Sequence, residues 1–128
     1  MNPEGVNIYK SKYSVRETTD RLRQFLEEHG ATIYARIDQQ DELRKVGQTI
    51  SALEFLMFGN PKAGGVLMAQ NSLVALDLPL KVIAWEDDSS KVWVACNNAK
   101  YIEDRYSLSH NENTPLNLEK LINTALGN

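Results

Sequence analysis

Apolar residues recur along this chain with two different periods, and the switches between them delimit the elements. Val15, Leu22, Phe25 and Leu26 form one stripe at helical spacing. Ser14-Val15-Arg16-Glu17 ahead of that stripe fits a capping box, and Gly30 stands where a left-handed residue closes a helix. A helix from Ser14 to about His29 is therefore predicted. Before it, residues 6–10 read as a short strand. After it, Ile33, Ala35 and Ile37 alternate with Thr32, Tyr34 and Arg36, which predicts a half-buried strand over 31–38. Asp38 and Asp41 both suit the cap of a short helix running through Leu43 and Val46 to Gly47. Leu53, Phe55 and Met57 alternate with Glu54, Leu56 and Phe58, so the strand over 53–58 is apolar on both faces.

Asp87-Asp88-Ser89-Ser90 separates two more alternating runs, 80–86 and 91–97, and predicts a hairpin. If Asp87 pairs with Ser90, Trp85 lies opposite Val92. One face then carries Ile83, Trp85, Val92, Val94 and Cys96, and the other carries Leu80, Val82, Ala84, Trp93 and Ala95. Asn98 is placed to cap a helix through Tyr101, Ile102 and Tyr106, and 107–113 reads as a polar connection. Thr114 as N-cap and Pro115 as first helical residue predict a last helix over about 115–126, with Leu118, Leu121, Ile122 and Ala125 buried and Gly127 ending it. The expected architecture is α+β, an antiparallel or mixed sheet with helices on one face, in the order β-α-β(4)-α. Two substantial helices cover about one face of such a sheet, given diameters near 10 Å against a strand spacing near 4.8 Å. The other face is then covered either by the short segments 61–71 and 98–106 folding back within one chain or by a second copy of it, and a homodimer is expected. Trp93 is assigned to that interface and Trp85 to the core.

The stretch 58–80 departs from this regular patterning. Asn60 suits an N-cap and Pro61 a first helical residue, so a helix to about Asn71 is predicted, with Leu67 and Met68 on one face. Gly64-Gly65 falls in its first turns, where each glycine costs about 1 kcal/mol relative to alanine. Close approach of a strand, a second subunit or a ligand would account for the pair. Amides at a helix start favour anions, and Lys62 adds positive charge. Asn60, Lys62, Gly64 and Gly65 are thus the candidate binding residues, with a small anion as the candidate ligand. Further on, Asp77 stands between leucines just before Pro79. An Asx-turn is its simplest role, and a catalytic or ligand-binding carboxylate the alternative.

Length and composition narrow the possibilities. The 128 residues suit a single domain over 1–128, and 42% apolar with 24% charged residues is ordinary for a globular protein. A net charge of −3 gives no electrostatic footprint for nucleic acid. The lone Cys96 excludes an internal disulfide and, in an alternating strand, reads as an inert core thiol. No run of about 18 apolar residues suggests a membrane span, and no basic-then-apolar start suggests a signal peptide, so a cytoplasmic location is expected. His29 and His110 are far apart and give no zinc spacing with Cys96, so neither metal nor cofactor is expected.

Phe58-Gly59-Asn60-Pro61-Lys62, then Gly65, Leu67-Met68 and Leu76-Asp77-Leu78-Pro79, together with Ala35-Arg36-Ile37-Asp38 and Val46-Gly47, resemble the pattern of the bacterial and archaeal family known as domain of unknown function 302. The resemblance spans about residues 13–108. It implies a compact α+β domain that forms dimers, and it implies no activity. Gln39 stands where the family often has histidine after Ile-Asp, and Tyr106 follows Arg105 where the family often has Arg-His. A metal or acid–base role for those family histidines is not implied for this chain.

Three functions are compatible with these residues. The favoured one is a non-enzymatic dimeric module binding a small anionic ligand around Asn60–Gly65. The second is a hydrolase or isomerase using Asp38 and Asp77 as a carboxylate pair, which requires both in one cleft. The third is a protein-interaction module without a small-molecule site.

Overall fold

The Ser14 hydroxyl accepts the amide of Glu17 at 3.1 Å and starts the first helix, α1 (Val15–Glu28). Gly30, at φ +84°, ends that helix and turns the chain back toward the sheet. The computed structural model describes residues 2–111 and 113–128, so the polar connection expected over 107–113 includes one residue, Glu112, outside the described set. Around α1 the chain forms β1 (Val6–Ser11), β2 (Thr32–Asp38), α2 (Gln39–Arg44), β3 (Leu53–Gly59), α3 (Pro61–Gln70), a 3₁₀ turn (Ser72–Leu76), β4 (Leu80–Glu86), β5 (Val92–Asn97), α4 (Ala99–Arg105) and α5 (Glu119–Leu126). The five strands make one antiparallel sheet in the order β1-β5-β4-β3-β2. The expected α+β class and element order are those observed.

Alternation decides which residues reach the core. Glu54, Leu56 and Phe58 of β3, Val82 and Ala84 of β4, and Val92, Val94 and Cys96 of β5 point to one face and are buried. The stripe of α1 (Val15, Leu22, Leu26) and that of α5 (Ile122, Ala125, Leu126) pack on this face as a single core. A second cluster sits at one end of the sheet. It joins Leu67 of α3, Val74 of the 3₁₀ turn, Ile102 and Tyr106 of α4, and Leu108 and Leu116 of the connection to α5.

The opposite face carries the other phase of each strand. Its middle row runs across all five strands as Ile8, Ala95, Ile83, Phe55 and Ile37. A neighbouring row is Lys10, Trp93, Trp85 and Leu53. Neither row belongs to the two buried clusters, and the helices pack on the other side. Trp85 and Trp93 are cross-strand partners, which corrects the expected hairpin register by one residue. The loop is longer than a four-residue turn. The Asp87 amide donates to the Lys91 carbonyl at 2.8 Å, Ser90 takes a left-handed φ of +61°, and the Asp87 carboxylate accepts the amides of Ser89 and Lys91. Both tryptophans therefore share the open face, and the assignment of Trp85 to the core is withdrawn.

The last helix also starts later than expected. Thr114 closes a turn instead of capping: the Asn117 amide donates to its carbonyl at 3.1 Å and the Leu116 amide to its hydroxyl at 3.2 Å. Leu116 and Leu118 pack in different clusters. A helix begun at Pro115 would place those two residues about 200° apart around its axis, since each residue turns about 100°. The turn lets both be buried, and α5 begins at Glu119.

Cys96 is buried, and burial raises its thiol pKa to about 11. Burial likewise raises the Tyr9 phenol to about 12, helped by the nearby Cys96. Both folded-state values lie above the ordinary ones, so the neutral forms favour folding. Stability from this source is complete below about pH 9 and falls as pH rises toward the folded-state values. We expect urea midpoints equal at pH 7 and 8 but lower at pH 10.5. We expect the pH 10.5 loss to shrink in Cys96→Ala, and the native thiol to react with a disulfide reagent at pH 8 far more slowly than the unfolded one.

Candidate functional site

A cavity of about 450 Å³ lies at the end of the sheet where β3 runs into α3. The C-terminal turn of α1 gives it Leu26 and His29, followed by Ala31 and Tyr34. Phe58 and Gly59 come from β3, and Asn60, Pro61, Ala63, Gly64, Leu67 and Met68 from α3 and its cap. Leu78-Pro79-Leu80 and the turn before α5 complete the wall, with Leu116, Leu118 and Leu121 among its residues. The cavity lies between the two buried clusters, since Phe58 and Leu118 belong to one and Leu67 and Leu116 to the other. Leu78-Pro79 is a cis peptide.

The expected binding residues are only partly brought together. Asn60 and Gly64 line the cavity, whereas Lys62 and Gly65 are not among its lining residues. The helix start also has its donors engaged. Pro61 has no N–H. The Asn60 side-chain oxygen accepts the Lys62 amide at 3.0 Å and the Ala63 amide at 3.3 Å, and the Asn60 carbonyl accepts the Gly64 amide at 2.8 Å. An anion at this helix start would have to displace the Asn60 cap.

The glycine pair is not explained by close packing within the chain. A β-carbon at Gly64 would meet only the Met68 methyl, at 3.9 Å, and one at Gly65 would meet nothing within 4 Å. Neither φ is positive. Gly65→Ala is therefore expected to stabilise the chain by about 0.5–1 kcal/mol, through helix propensity and a less flexible unfolded chain. Equilibrium urea denaturation checks this, and a destabilised variant would mean that something packs on Gly65. Met68 is partly exposed, so of the expected pair only Leu67 is buried.

The lining residues that sequence reasoning missed are polar or come from distant segments. His29 Nδ1 lies 2.7 Å from the Phe25 carbonyl, which can only accept, so Nδ1 carries the proton and Nε2 of the neutral ring is an acceptor. Tyr34 is half exposed and its ring packs near Gly59. The Asn117 side-chain oxygen accepts the Glu119 amide.

Asp38 and Asp77 serve structure at opposite ends of β3. Asp38 caps α2, accepting the Asp41 amide at 2.9 Å, and faces Arg16 at 3.5 Å. It pairs across the sheet with Glu54, at the start of β3. Asp77 precedes β4, whose Leu80 pairs with Phe58 at the far end of β3. Four residues of strand, about 13 Å, separate these positions. The Asp77 carboxylate accepts Arg105 Nη1 at 2.9 Å and the Tyr106 hydroxyl, in place of the expected Asx-turn. That bond to Asp77 raises the Tyr106 pKa. The contact ties the segment before β4 to α4, as does Asn71 Nδ2 donating to the Tyr106 carbonyl at 2.8 Å. Among the described residues, no three histidine, cysteine or acidic side chains are placed to hold a metal ion.

The other charged assembly is at the α1–β2 edge. Glu54, with a side chain only 6% exposed, receives Arg36 Nε at 3.0 Å, and Arg16 lies 3.9 Å away. Arg36 also reaches Asp20 at 2.6 Å and the Arg16 carbonyl at 3.3 Å. Burial alone would lower the Arg36 pKa, but its bonds to Asp20 and Glu54 outweigh that and raise it.

A five-stranded antiparallel sheet covered by helices on one face, with an apolar cavity at its end, places the chain in a structural class. The chain belongs to the family described as domain of unknown function DUF302, whose model matches residues 7–125. A crystal structure of an uncharacterised conserved DUF302 protein from Bacillus stearothermophilus has the same fold, with a TM-score of 0.81 at 16% identity over 98% of each chain. Among curated proteins, the chain is 35% identical over 104 residues to a protein from Brucella suis named fluoride-specific ion channel FluC 1, covering 81% of this chain and 41% of that protein. It is equally similar to the FluC 2 protein of Brucella melitensis, of which it covers 38%. The chain thus spans about two fifths of the curated relatives it matches. Among the described residues, no helix is long and apolar enough to cross a membrane.

Proposed function

We propose that this chain is a non-catalytic, homodimeric module that binds a small molecule in the cavity beneath α3. The cavity carries this reading. Its volume of about 450 Å³ is within the range of small-molecule sites, and it is a concave, mainly apolar space bounded by a few polar groups. The paired-carboxylate alternative has little support, because Asp38 and Asp77 are engaged at opposite ends of β3. Pairing through the open sheet face would cover the row Ile8, Ala95, Ile83, Phe55 and Ile37, the commonest arrangement being two-fold. On this reading the module works in the cytoplasm, since a lone free thiol, Cys96, suits a reducing compartment.

The Brucella relatives support a setting for such a module. They are named as channels, this chain matches about two fifths of each, and among its described residues no helix is long and apolar enough to cross a bilayer. On our reading the domain is an appendage that senses a ligand beside a transport protein, and it does not form the pore. Thermal unfolding against compounds of all charge types tests the binding role. A ligand of the native state raises the melting temperature by mass action. Wild type should respond to at least one compound class at millimolar concentration. Gly64→Leu, whose side chain would occupy the cavity while favouring the helix, should fold and not respond. Absence of any wild-type response, or equal responses in both proteins, would remove the binding role.

A further inference from the structure

The lining chemistry restricts what the cavity can hold. Among the described residues twenty line the cavity, and none of these is Asp, Glu, Lys or Arg. A charged group entering it would lose hydration without gaining an opposite charge, and an unpaired buried charge is very costly. The polar side chains among them are few: Asn60, Asn117, His29 and Tyr34. The Asn60 and Asn117 side-chain oxygens are engaged with backbone amides. His29 and Tyr34, both solvent-exposed, are among the residues that line the cavity, and His29 Nε2 and the Tyr34 hydroxyl have no hydrogen-bond partner among the described residues.

Building on the binding role above, we propose that the cavity takes an uncharged, mainly apolar molecule whose single hydroxyl group donates to His29 Nε2 and accepts from the Tyr34 hydroxyl. This replaces the anion expected from the helix start, for two independent reasons. The amides of α3 are already bonded within the cap, and Lys62 does not line the space. The apolar remainder of the ligand would lie against Phe58, Leu67, Leu116 and Leu118, displacing poorly held water.

Three probes of one chain length and different end groups decide the class: 1-octanol, octanoate and octylamine, titrated at pH 8 into isotopically labelled protein. Octanol should shift the backbone amides of Gly59, Gly64 and Leu118 in a saturable way, with the two charged probes at least tenfold weaker. His29→Leu with Tyr34→Phe should weaken octanol severalfold without abolishing its saturable shifts. Gly64→Leu should abolish the shifts. If octanoate or octylamine binds at those amides as tightly as octanol, the uncharged class is wrong and the binding role stands. Saturable shifts confined to the open sheet face, at Ile83 or Trp93, would overturn the cavity as the site. No shift with any probe would overturn both readings.

Discussion

Ile83→Asp is expected to fold and to be monomeric, where the unaltered chain is expected to sediment at twice its 14.5 kDa mass. Ile83 is in the central strand, β4, between Phe55 on β3 and Ala95 on β5, in the middle of the open face. In a two-fold assembly two such aspartates would be brought together and desolvated. Central interface positions commonly cost 2 kcal/mol or more on truncation, and 2.7 kcal/mol is about a hundredfold in dissociation constant. In the separated chain the same aspartate faces water, so circular dichroism should remain native-like. Because Trp85 and Trp93 share this face, aspartate at either should also weaken association. Sedimentation equilibrium at tens of micromolar reads the result. A single-chain mass for the unaltered protein, or a dimer that survives Ile83→Asp, would remove the open face as an interface.

The largest single loss of stability at a charged position is expected at Arg36. Arg36→Met removes three charge-assisted hydrogen bonds, to Glu54, Asp20 and the Arg16 carbonyl, and leaves the Glu54 carboxylate buried, with only Arg16 at 3.9 Å. Breaking a buried pair from one side costs about 3–5 kcal/mol, and partial exposure of Arg36 with rescue by Arg16 places the expectation at about 2–3 kcal/mol. The double variant Arg36→Met with Glu54→Leu should recover most of it, because no uncompensated charge remains. Urea denaturation of both variants checks this. A loss below 1 kcal/mol in the single variant would mean that Arg16 alone satisfies Glu54.

Much of the fold was legible because it rests on local signals. Ser14, Asn60 and Asp38 cap helices as their short polar side chains suggest, and the phase of every central strand follows from alternation. Register was not legible in the hairpin. Alternation gives the two faces of each strand but not their offset, and the loop closes at Lys91 with a left-handed Ser90 that a four-residue turn does not require. The start of α5 is not legible because Thr114-Pro115 has the chemistry of a cap. The need to bury Leu116 and Leu118 in two different clusters is a tertiary constraint.

The candidate site was half legible for the same reason. Asn60 and Gly64 stand out locally, but the cavity also needs Leu26, His29, Tyr34, Leu78 and Leu116, contributed by segments far apart in the chain. No periodicity links those residues. The Arg36–Glu54 pair did leave a trace. Glu54 shares the phase of Leu56 and Phe58, so a charge on the core side of β3 called for a partner on a neighbouring strand.

The most direct test of the account's central claim, that the space beneath α3 is a binding site, is a crystal structure of the protein grown with 1-octanol. Density is expected for one molecule bounded by Phe58, Gly64, Leu67 and Leu116, with its oxygen within hydrogen-bond distance of His29 Nε2 or the Tyr34 hydroxyl. A cavity closed by the protein's own side chains, with octanol bound elsewhere or not at all, would contradict it.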